Sequence, residues 1–243
     1  MSEILAIAES VWRRILKMKV VYFLIACAIV EISVTTLYEV LMMSEQRMLM
    51  VDLSLLLTTM SGLLVVLSLA FDVPKELREG GAATLLSKPV GRVHYLVGKF
   101  VGIAVVGLIV TSLVSIGFCC VHHFAFDQIP ISAVKGHVLA IASVVPMSAI
   151  AVFFSALLNE TMAAIFTALA IWAAHSTGAF LSNVRVIYGG ILPDMNLFNL
   201  RAEATYNIVI DWRYIAGVGG WGIVYSIALI AFTGIIFNYR DLK

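Results

Sequence analysis

Two glutamates stand where water should be scarce. Glu31 lies near the middle of a long apolar run, and Glu39 follows eight residues later, about 80° around a helix and so on the same broad side. A carboxylate at mid-bilayer costs several kcal/mol if it is charged and faces lipid, so it must face a cavity, meet a partner or take up a proton. Two readings stay open: a substrate or proton path, or a neutral or paired carboxyl that holds helices together. His175, followed by Ser176, Thr177 and Gly178, is a third candidate for such a path and equally a hydrogen-bonded packing residue. Met42, Met43, Met48 and Met50 flank one turn, while Cys119, Cys120, His122 and His123 close a later apolar run and His137 opens the next. Thioether, thiol and imidazole are what a soft cuprous ion prefers. The same residues are ordinary apolar filler and interfacial side chains, so no metal site is assigned to them. Phosphate chemistry is excluded more firmly. A phosphate-cradling loop needs G-x-x-x-x-G-K-[ST], and the one Gly-Lys pair, Gly98 and Lys99, has Val93 and Phe100 at the flanking positions. Neither a G-x-S-x nucleophile nor an H-E-x-x-H metal pair is present, so the chain is expected to perform no covalent chemistry of its own.

These residues must be carried by elements suited to lipid. Of the 243 residues, 61% are apolar and 13% charged, against about 45–50% and about 25% in a soluble domain. Too little polar surface exists to coat a water-facing sphere. Six apolar stretches, 20–43, 53–71, 100–121, 138–158, 161–182 and 214–237, each come near the roughly 20 residues that cross a ~30 Å hydrocarbon core. They lack the alternation of barrel strands, so the fold class is an all-α membrane protein of six transmembrane helices in a single domain, 1–243. The first run is too long and too acidic for a cleaved leader and is expected to stay. Ahead of it, residues 3–18 place Ile4, Ile7, Val11, Ile15 and Met18 on one side and Glu9, Ser10, Arg13, Arg14 and Lys17 on the other. That pattern predicts an interfacial helix with its apolar side toward acyl chains, or else one packed on a partner. Of the 16 Lys and Arg residues, eleven gather on one side if both termini share it and five on the other. Both termini are therefore expected in the cytoplasm. Segment 72–99 then lies inside, as does a tight turn at Asn159 and Glu160, and the 183–213 loop lies outside. Gly98, Gly102 and Gly107 in the third span, and Gly217, Gly219, Gly220 and Gly222 in the sixth, permit close helix approach, though the latter cluster could equally form a flexible rim. No basic stripe is present to bind nucleic acid, and three cysteines (Cys27 in an apolar run, Cys119 and Cys120 vicinal) make no disulfide framework.

The inner segment reads DVPKELREGGAATLLSKPVGRVHYLVGKFVG from Asp72 to Gly102. Asp72 and Pro74 signal a helix start, Gly80 and Gly81 interrupt it, and Lys88-Pro89 stop a second, apolar stretch. On composition the segment could be a docking knob for a soluble partner or a plain interfacial connector. The run EGGAATLLSKPVGR (79–92), followed by YLVGKFVG (95–102), resembles the cytoplasmic loop of the type-2 ATP-binding-cassette (ABC-2) permeases. LPDMNLFN (192–199) and FNYRDL (237–242) are similar to the same family's last outer loop and tail. The likeness is nearest to the permeases grouped with gliding-motility and nitrous-oxide-reductase-maturation transporters. Ala82 departs from the threonine usual there, which leaves the apolar surface intact but removes a hydroxyl.

The resemblance implies a transmembrane subunit of an ATP-binding-cassette transporter, a homodimer with a second copy of itself. A separate cytoplasmic ATPase would bind ATP and magnesium, and this chain no cofactor. Residues 3–18 would be its elbow helix, and the segment between spans two and three its coupling helix, with Glu76, Glu79, Gly81, Leu85, Leu86, Lys88, Pro89 and Arg92 as coupling residues. Independently of the resemblance, Glu31, Glu39 and His175 stay candidates for a substrate path, Glu31 and Glu39 at the dimer seam, beside their reading as packing residues. Pro193, Gly189 and Gly190 fit short outer helices dipping back before span six. The product would be export or force transmission across a prokaryotic inner membrane, in some relatives to an outer accessory protein. The competing reading is a stand-alone channel or secondary carrier using Glu31 and His175, which the lack of an internal repeat disfavours.

Overall fold

The structure, a computed structural model, describes residues 7–11, 46–78, 91–180 and 193–239. The expected first span with Glu31, Glu39, Met42 and Met43 lies outside the described residues, as do Glu79, Gly81, Leu85, Leu86, Lys88 and Pro89. Among the described residues every regular element is a helix: α1 (Gln46–Ala70), α2 (Asp72–Arg78), α3 (Arg92–Phe126), α4 (Ile131–Ala142), α5 (Val144–Leu157), α6 (Glu160–Phe180), a 3-10 turn (Met195–Phe198), α7 (Arg201–Thr205) and α8 (Trp212–Asn238). Four stretches are long and apolar enough to cross a membrane: Arg47–Glu76, Arg92–Phe124, Ile131–Leu157 and Trp212–Asn238. α6 is helical through the expected fifth span, with the polar residues His175, Ser176 and Thr177 near its end. At 35 residues, α3 extends about 52 Å, well beyond a ~30 Å core, so its ends stand clear of the hydrocarbon.

Prolines set the breaks. Pro146 has no N–H for the carbonyl of Ala142 and its ring crowds that group, and α4 ends there, with Ser143 alone between it and α5. Pro74 removes the same rung at Ala70, where α1 gives way to α2 through Phe71. The freed Ala70 carbonyl accepts the Ser155 hydroxyl of α5 at 2.8 Å, so a backbone bond lost in α1 is replaced by a side-chain bond from a neighbouring helix.

The core is built where small residues let helices meet. A Cβ on Gly107 would overlap Val144, which locks α3 against the head of α5. Gly98 and Gly102 of α3 receive Ile7 and Val11, where a Cβ would come within 2.9 Å of either side chain. Ile7 and Val11 are buried and Glu9 and Ser10 exposed, so the amphipathic pattern of this segment is real. Its direction differs from the interfacial expectation. These two apolar side chains pack on α3 rather than pointing to acyl chains, because the two glycines, one turn apart, leave a groove that fits them. Apolar side chains such as Leu113 and Ile116 on α3, and Val224 and Ile227 on α8, remain exposed, as expected for surfaces that lipid or another subunit covers.

Candidate functional site

Among the described residues, organised polar contacts gather at two ends of the bundle. At the first end, α2 begins the 72–92 segment and its Glu76 turns back onto α3. Tyr95 and Lys99 are four residues apart on α3 and therefore on one face. The Tyr95 hydroxyl donates to Glu76 Oε2 at 2.8 Å, and the Lys99 ammonium meets Oε1 at 2.7 Å. The Lys99 side chain is 2% exposed and that of Glu76 16%, so the pair is largely withdrawn from water. Both carboxylate oxygens are satisfied by charge-assisted or hydroxyl hydrogen bonds, which makes the position of α2 on α3 specific.

Two further ties flank the same segment. Arg78, the last residue of α2, pairs with Glu160 at the start of α6 at 2.8 Å. Arg92, the first residue of α3, donates from Nη1 to the carbonyls of Asn238 at 3.1 Å and Phe237 at 3.4 Å. These carbonyls lie at the negative C-terminal end of α8, where a guanidinium is favoured. Residues on either side of 79–90 are thus joined to α3, α6 and α8, and the Ser155 bond adds α5. Of the expected coupling residues, Glu76 and Arg92 fall in the described part. Glu76 offers its carboxylate to the bundle's interior, and Arg92 offers its guanidinium to a neighbouring helix end. Tyr95 and Lys99 had no part in the sequence reading beyond a motif fragment and a flanking charge. Their spacing of four was the available signal, but the partner lies 19 and 23 residues away on another helix.

At the opposite end, the stretch from Pro193 to Ile210 folds over α1 and α4. Arg201 makes a two-pronged contact with Asp52, Nε to Oδ1 at 2.9 Å and Nη2 to Oδ2 at 2.6 Å. Ser132 donates to Asn207 Oδ1 at 2.8 Å, Tyr214 donates to the Leu197 carbonyl at 2.9 Å, and the Lys135 ammonium donates to the Ile210 carbonyl. Lys135 is buried and lies 4.9 Å from the Trp212 ring centroid, where the ring face adds attraction for the cation. Met195, Phe198 and Ala204 are buried beneath these contacts. His137 sits inside the same end, with Nε2 3.3 Å from the Ser54 hydroxyl and Nδ1 3.2 Å from that of Thr58.

The remaining candidates separate. His175 donates from Nδ1 to the carbonyl of Ile171, one turn back, at 2.9 Å, and borders a crevice beside α1. Cys119 is half-buried, Cys120 and His123 are exposed, and His122 is buried between the rings of Phe118 and Phe126, at centroid distances of 5.5 and 4.9 Å. Among the described residues no three His, Cys, Asp or Glu side chains converge to hold a metal ion.

Against known proteins, residues 42–183 match the model of a family described as ABC-2 family transporter protein. No curated protein matches the chain.

Proposed function

The chain belongs to the ABC-2 family transporter proteins and is a membrane permease subunit of an ATP-binding-cassette transporter; from that premise we propose that its 72–92 segment is the handle by which a separate ATPase moves the bundle. The ATPase subunit binds ATP and magnesium, and the permease supplies no catalytic group to hydrolysis. Two copies of the chain form the transporter in a prokaryotic inner membrane, with both termini and the handle in the cytoplasm and residues 193–210 on the far side. The output is export or force transmission, with the Glu31, Glu39 and His175 side chains along the path.

The observation that carries this reading is the fastening around 79–90. A segment that merely joined two spans would need no buried ion pair. Here Glu76 is held by Tyr95 and Lys99, Arg78 by Glu160, and Arg92 reaches the end of α8. A push on the segment is therefore delivered to α3, α6 and α8 together, which is the rigidity that transmission through packed helices requires.

The test is co-purification from native membranes, followed by ATPase assay in vesicles with and without the permease. An associated ATPase whose turnover depends on the permease is expected, and Leu85→Asp in the apolar part of the handle should release it. Transport by the chain alone, indifferent to nucleotide and to Leu85→Asp, would overturn the proposal in favour of a carrier. Glu31→Gln should stop transport while sparing dimer assembly and ATPase association; normal transport by that variant would remove Glu31 from the path.

A further inference from the structure

Asn199 and Arg201 border a crevice that none of the contacts above fills. It has a volume of about 190 Å³ and lies between α1, α5 and α6. Leu63, Met147 and Ile171 line its apolar interior, while Met60 (42% exposed) and Trp172 (68%) stand at its mouth, so it opens on the outer face of the helices. In a membrane-spanning chain that face meets lipid. Apart from Thr59, whose hydroxyl turns back to the Leu55 carbonyl at 2.9 Å, the polar residues come from one end. His175 lies one turn beyond Ile171 toward the end that carries Asn199 and Arg201.

Volume and charge narrow the occupant. The space is smaller than the roughly 300–1,000 Å³ of sites that enclose a drug-sized ligand, and so accepts part of a chain rather than a whole soluble solute. Arg201 already spends Nε and Nη2 on Asp52, so the two groups together are neutral and do not demand an anion. They leave hydrogen-bonding capacity: the Nη1 hydrogens of Arg201 and the side-chain amide hydrogens of Asn199, whose Oδ1 accepts the Arg201 backbone N–H at 3.3 Å. Ester and phosphate oxygens are the acceptors such donors suit.

We propose that this crevice seats one acyl chain of a bilayer phospholipid, its methylenes along Leu63, Met147 and Ile171 and its glycerol-ester and phosphate oxygens toward Asn199 and Arg201. The inference rests on the chain spanning the membrane, not on what drives it. Testing it requires the intact complex reconstituted in phosphatidylcholine vesicles containing a phospholipid with a diazirine in its acyl chain. After photolysis, peptides containing Met147 and Ile171 should carry label. Met60→Trp, which fills the mouth, and Leu63→Trp, which fills the interior, should each abolish that labelling without releasing the ATPase. Label spread equally over Leu113 and Ile116 and unchanged by both variants would mean ordinary surrounding lipid and overturn the proposal. So would labelling by a free diazirine fatty acid alone, or a Trp172→Cys cross-link between two copies with the interior unlabelled. Loss of the ATPase with labelling intact would bear on the driving partner and leave the lipid seat standing.

Discussion

Truncating Lys99 to methionine takes the ammonium away from a carboxylate that is itself mostly shielded. Breaking a buried pair from one side costs roughly 3–5 kcal/mol, while replacing both members is often close to neutral. Because Glu76 keeps some contact with solvent, Lys99→Met is expected to lose about 3 kcal/mol, and Glu76→Gln with Lys99→Met to recover most of it. Unfolding in detergent micelles measures this, and equal damage in single and double variants would show that the two do not act as a unit. Ser155→Ala strands the Ala70 carbonyl and should cost about 1–3 kcal/mol in the same assay. The Arg78–Glu160 pair, whose arginine stands in solvent, should by contrast contribute little to stability, within about 1 kcal/mol. None of these pairings was legible in the sequence. Lys99 reads there as one more flanking charge, and what makes it matter is a partner on a different helix and the loss of water around both, neither of which spacing along the chain encodes.

At the level of helices, patterns with a local cause were readable and those with a tertiary cause were not. The expected stretches 100–121 and 214–237 fall inside α3 and α8, because length and hydropathy in lipid leave a helix as the available solution. The expected start at Asp72 coincides with α2, since a proline in the first turn dictates it locally. The break at Ser143 follows from Pro146 by the same rule, yet 138–158 reads as one uninterrupted run in hydropathy. The apolar side of residues 7–11 was evident from period, but not what it would face, because the receiving groove is made by glycines some ninety residues on. That groove yields a prediction. Gly102→Val should push Val11 off α3 and destabilise the protein by about 1–3 kcal/mol. Gly219→Ala meets nothing within 4 Å, so in an isolated protomer it should be neutral or stabilising by up to about 1 kcal/mol. If Gly219→Ala instead weakens association of two copies, measured by light scattering in detergent, that face of α8 belongs to the dimer.

For the molecule as a whole, the two polar ends divide the labour. One ties the handle's flanks to four helices, and the other pins 193–210 over α1 and α4. Under the proposed sidedness they lie on opposite faces of the membrane. Cysteine scanning checks this directly: with an impermeant maleimide on sealed right-side-out vesicles, Asn207→Cys should react and Asn159→Cys should react only after permeabilisation. Reaction of Asn159→Cys from outside would invert the arrangement. Asp52→Asn should loosen the outer cover while leaving ATPase association unchanged, read as faster proteolysis of the 193–210 stretch.

The substitution of a serine for a missing rung at Pro74 has a mechanical corollary. An ordinary helix resists bending because several amide bonds must stretch at once, whereas at the union of α1 and α2 the proline leaves one rung out and a hydroxyl on α5 takes its place. Swinging α2 relative to α1 would give up that contact together with the Glu76 and Arg78 pairings, while the Lys75 N–H still meets the Phe71 carbonyl at the junction, at 3.3 Å. The joint at the head of the 72–92 segment is thus fastened from three neighbouring helices, and the residue at position 155 sets one of those fastenings.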